Sequence, residues 1–79
     1  MTLHSRRIVF PEGDWQEAPV PLSLEEVVDV NGYPLSLPLP SRRMLAYRVY
    51  RISTREEIGE EIRCFHLARL TLEELAEFS

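Results

Sequence analysis

The sequence predicts a β-rich α+β domain: a small antiparallel sheet of four to five short strands, dominated by one long hairpin, with a short C-terminal helix. Three observations carry that expectation. Met44–Ser53 (MLAYRVYRIS) and Glu60–Leu70 (EEIRCFHLARL) are rich in residues that fit a pleated, half-buried surface. The polar run Thr54–Gly59 (TREEIG) between them contains a glycine, as a hairpin connection does. Thr71–Phe78 (TLEELAEF) opens on a capping box, Thr71 with Glu74, and carries Leu72, Leu75, Ala76 and Phe78 on its apolar side. The 79 residues are read as one domain. Residues 42–70 form its hairpin core, 1–41 an N-terminal strand and proline-rich crossing segment, and 71–78 the helix.

Arg6–Phe10 (RRIVF) is a strand candidate stopped by Pro11. Pro11–Pro21 holds three prolines and a glycine and should cross the molecule as a loop or extended strip without helix. Trp15 lies in the middle of it. A small domain needs the area of an indole, so Trp15 is expected to plug back onto the core. Ser23–Val30 carries two signals. Ser23 and Glu26 fit a capping box, whereas Asn31-Gly32 fits a type I′ hairpin turn. A single helical turn at Leu24–Glu26 followed by a strand reconciles them. Pro34, Pro38 and Pro40 remove ladder donors, so Tyr33–Leu39 is an edge strand or an extended segment. The octamers SLEEVVDV and TLEELAEF share the grammar of a helix start rather than an internal repeat.

Alternation of side chains along the hairpin defines two faces. With Val49 set opposite Cys64, Leu45, Tyr47 and Val49 share one face with Ala68, His66 and Cys64. That face is nearly all apolar and reads as core. The other carries Met44, Arg48, Tyr50, Arg63, Phe65, Leu67 and Arg69, too apolar for a solvated face. Aromatics, Met and Arg are the types enriched at interfaces, which makes these seven residues the candidate interaction surface.

A chain of this length buries only about 60% of its unfolded surface, and small cores commonly need a disulfide, a metal or a partner. One cysteine excludes an internal disulfide. Self-association is therefore the expected support. The sequence points to a non-enzymatic protein–protein interaction domain that pairs with itself as a homodimer, or with an unidentified protein, and requires no cofactor. No apolar run approaches a membrane span, there is no secretory pattern, and the lone cysteine suits the cytoplasm.

Charge supplies the alternative. The formal net charge is −4, yet all nine basic residues are arginine. Residues 12–29 hold six acids and no base, and residues 42–55 hold five arginines and no acid. Arg42, Arg43, Arg48, Arg51 and Arg55, interleaved with Tyr47 and Tyr50, are the candidate contacts of a weak single-stranded nucleic-acid binder. The acidic balance and the missing RNP run oppose that reading. Cys64 and His66, two apart, would share a strand face as a nucleophile and base or as half a zinc site, but no orienting group, oxyanion site or further ligand set accompanies them. Glu56, Glu57, Glu60 and Glu61 crowd the hairpin tip without the alternating Asp and Asn of a calcium loop, and read as a solvated turn.

Overall fold

The computed structural model describes residues 2–40 and 44–78. Five strands form one sheet: β1 (Leu3–Val9), β2 (Trp15–Glu17), β3 (Val27–Val28), β4 (Tyr47–Glu57) and β5 (Glu60–Arg69), followed by helix α1 (Leu72–Phe78). The spatial order is β2-β1-β5-β4-β3. The architecture is the expected β-rich α+β one, with one departure. β1 runs parallel to β5, from Leu3 opposite Glu60 to Val9 opposite His66, so the sheet is mixed. Parallel neighbours need a long crossover, and the intervening chain from Phe10 to Gly59 supplies it.

The β4–β5 hairpin is tighter than expected. Glu57 pairs with Glu60 across Ile58 and Gly59 alone, and Gly59 takes the positive φ, +76°, that the turn demands. Nearer the tip Ser53 faces Cys64 and Arg51 faces His66; beyond it Val49 faces Leu67 and Tyr47 faces Arg69. Val49 is therefore not opposite Cys64. A β-bulge at Tyr50 inserts one residue, so the stretch of β4 before it faces opposite to simple alternation with the stretch after it. The expected core face is split by it. Tyr47 and Val49 turn to the side of Phe65 and Leu67, leaving Cys64, His66 and Ala68 on the other.

The core sits on the Phe65 side. Ile8, Val49, Phe65 and Leu67 are buried there with Tyr47, and Ala18, Leu22 and Val28 of the crossing segment close over them. This inner face lies within the monomer. Phe65 and Leu67 are each 1% exposed, which corrects their placement on an accessible surface. A second cluster forms on the opposite face at the far end of the hairpin, where Leu75 of α1 packs with Val27, Leu39, Ala46 and Leu70. The capping box of α1 is made as expected: Glu74 N–H donates to Thr71 Oγ1 (3.2 Å) and Thr71 N–H to Glu74 Oε1 (3.1 Å).

Three further expectations change. Residues 24–25 form a turn rather than a helical one, since Glu25 has φ +70°, although Ser23 N–H does donate to Glu26 Oε1 (2.8 Å). At Asn31-Gly32 only the glycine has positive φ, whereas a type I′ turn needs both. Gly32 N–H instead donates to Asp29 O, and Asp29 N–H to Tyr33 O. Asp29 Oδ1 accepts from the N–H groups of Asn31 and Tyr33. Pro11–Pro21 contains no helix, but it does contain β2.

Candidate functional site

The register aligns the outer-face side chains in rows across the sheet. One row runs Trp15, Val9, His66, Arg51; the next Glu17, Arg7, Cys64, Ser53; a third Ser5, Ile62, Arg55; the last Leu3, Glu60, Glu57. Ile62 is fully buried in the third row, between the polar neighbours Ser5 and Arg55. Ser5 Oγ donates to Glu60 within the last two rows.

Trp15 does not plug the core. It is 55% exposed on this outer face, with the Arg7 guanidinium carbon 3.8 Å from its ring centroid. The reason lies in register. Val9 pairs Trp15, and Val9 faces outward with Arg7, so the indole follows them. Tyr50, expelled by the bulge and 49% exposed, tilts against His66 at 6.2 Å between ring centroids.

His66 Nε2 lies 2.8 Å from Ser53 Oγ and 3.5 Å from Arg51 Nη2. A guanidinium only donates, so in the Arg51 contact Nε2 is the acceptor. Burial, and then the Arg51 charge, push the His66 pKa below its ordinary 6.5. A hydroxyl, an imidazole and the buried Cys64 thus lie together, a grouping two rows of register create. It resembles a nucleophile and base in distance alone. The strands carrying it, β4 and β5, are ladder-paired to each other and β5 to β1. Among the described residues no group of three or more His, Cys, Asp or Glu is placed to hold a metal.

The seven residues of the expected interaction surface do not form one surface. Phe65 and Leu67 are core, Met44 packs on the second cluster, and Arg63 and Arg69 flank the inner face. Arg48 bridges Glu25 (3.0 Å) and approaches Glu74 (3.8 Å). Tyr50 alone stands out on the open face. Of the arginines considered for nucleic acid, Arg51 and Arg55 share that face, Arg48 is engaged in its ion pairs, and Arg42 and Arg43 lie outside the described residues.

The other accessible feature is an edge. β4 has β5 on one side and, among the described residues, only β3 on the other, covering Tyr47 and Arg48. Val49 completes that contact, accepting from Glu25 N–H (2.7 Å) and donating to Glu26 O (3.0 Å). From Tyr50 to Glu57 no described strand pairs the outer side of β4. Sequence reading identifies the strand but not its edge position, which depends on where the chain returns.

The family model described as an uncharacterised Treponema protein matches residues 2–78. No curated protein and no solved structure matches the chain. No helix among the described residues is long and apolar enough to cross a membrane.

Proposed function

The chain belongs to that family, and we propose that it is a small non-enzymatic protein–protein interaction domain whose first partner is a second copy of itself. The observation that carries this reading is the uncovered side of β4 beyond Val49. An unpaired strand edge is a row of donors and acceptors ready for another strand, and edge pairing is an established mode of protein recognition. The reading places the domain in the cytoplasm, where a lone buried cysteine such as Cys64 stays reduced. It assigns no catalytic role to Ser53, Cys64 or His66.

Light scattering on a sizing column over a dilution series tests it. The expected result is a mass of twice the 9.2 kDa chain that falls toward one chain on dilution. A single-chain mass at every concentration overturns the reading.

A second reading rests on Trp15, Arg7, Tyr50 and Arg51 sharing the open face. Exposed aromatics beside arginines can stack bases and contact phosphates. Quenching of Trp15 fluorescence by a single-stranded oligonucleotide, weakening as salt rises, would support it; Glu17, Glu57 and Glu60 on the same face weigh against it.

A further inference from the structure

Resting on the self-association reading, we infer that two copies join along residues 50–57 of β4 and the turn residue Ile58, antiparallel, on a two-fold axis through Thr54. The ladder geometry sets the choice of axis. Val49 directs its N–H and C=O away from β5, toward Glu25 and Glu26. Outward and inward residues alternate in an antiparallel ladder, and the single inserted residue at Tyr50 shifts that alternation by one. The outward groups beyond the bulge are therefore those of Ile52, Thr54 and Glu56. An axis through Thr54 pairs each of these with an outward residue of the other copy, Thr54 with Thr54 and Ile52 with Glu56.

The side chains agree with the same axis. It sets Arg51 opposite Glu57 twice, Ser53 opposite Arg55, and Tyr50 alongside Ile58. Arg51 and Glu57 both stand on the outer face and are exposed. Ile58, fully exposed, and Tyr50, 49% exposed, are the apolar residues at the two ends of the segment. An axis through Ser53 would instead oppose Arg51 and Arg55.

The hairpin tip supplies an independent reason. Glu56 faces Glu61 and Glu57 faces Glu60 within one chain, and like charges directly opposite destabilise a sheet. Among the described residues the cation bridging this group is Arg55, at 3.4 Å from Glu57 and itself largely exposed. The two-fold brings the partner's Arg51 to Glu57, on the face that Glu57 shares with Glu60. The resulting interface is isologous and closed, and it joins β4 of one copy to β4 of the other beyond the two residues that β3 covers. The partner is identified by this self-complementarity: a strand of the same sequence, reversed.

Charge exchange tests the axis separately from the association. Arg51→Glu and Glu57→Arg are each expected to self-associate at least about tenfold more weakly than the wild type, since each opposes like charges twice. Mixed in equal amounts, the two variants should recover the dimer mass, because every facing pair in the mixed dimer is then opposite in sign. Thr54→Cys serves as a second measure. An antiparallel hydrogen-bonded pair holds its Cα atoms about 5.5 Å apart, within disulfide range, so mild oxidation should link two Thr54→Cys chains, while the wild type, whose Cys64 is buried, stays unlinked. A wild-type dimer whose strength neither charge variant alters, or a mixture that stays monomeric, overturns the Thr54 axis and leaves self-association standing. A monomeric wild type overturns both.

Discussion

His66 shows how two neighbours set the state of one side chain. Burial and the Arg51 charge both disfavour its protonated form. Its folded pKa therefore lies below the unfolded value, and the unfolded chain binds the extra proton between the two. The His66 contribution to stability is complete above pH 6.5 and is lost as the pH falls from there through the lowered folded value. Proton NMR of the imidazole in a dilute sample should give a midpoint below 6.5, and Arg51→Gln should move it upward. A midpoint at or above 6.5 would show that neither influence operates. Sequence alone placed His66 two residues from Cys64 and could not show Ser53 or Arg51 beside it, because the hairpin register brings them there.

At the scale of elements, the two turns that carry buried or strained glycine behave differently. Gly32 is buried in the Asp29–Tyr33 turn with φ +86°, and a Cβ there would stand 2.9 Å from Ile8 Cδ1 and 3.2 Å from Pro19 Cδ. Gly13 has φ +100° but open space around it. Gly13→Ala should cost about 1–2 kcal/mol, from backbone strain alone. Gly32→Ala should add an overpacking cost of about 1–3 kcal/mol, because Ile8 belongs to the main core. Urea unfolding of the two variants side by side checks the ordering; equal losses would mean that the turn moves away from the core without cost. The strands of the hairpin and the Thr71 capping box are legible in the sequence because propensity and capping are local. The bulge at Tyr50 is not, since no residue type there marks an insertion and its cost is settled by what the two faces must cover.

For the whole molecule, the crossing segment decides which face is surface. Its Ala18, Leu22 and Val28 close the side of the sheet that carries Phe65 and Leu67. Phe65→Ala should therefore cost about 3–5 kcal/mol, a large part of the roughly 5–15 kcal/mol a domain possesses. Trp15→Ala, on the open face, should leave the unfolding midpoint nearly unchanged. Thermal unfolding by circular dichroism distinguishes the two. A mild effect of Phe65→Ala would mean that the crossing segment does not bind the sheet. The long hairpin extends the chain to 45 × 22 × 17 Å, and among the described residues no strand pairs the side of β4 residues 50–57 that faces away from β5. A rounder packing of the same strands would have covered them.

The sequence by itself determined the β-rich class, the two long strands, the capped C-terminal helix and the extended course of the proline-rich segment, because each follows from local backbone preference. Only the tertiary structure decided that β1 lies parallel to β5, that Trp15 faces outward on Arg7, that Phe65 and Leu67 are core, and that β4 has a free edge. Each of these depends on register and on which distant segment arrives beside a strand. A displacement of one residue reverses every side chain, while composition and periodicity remain the same.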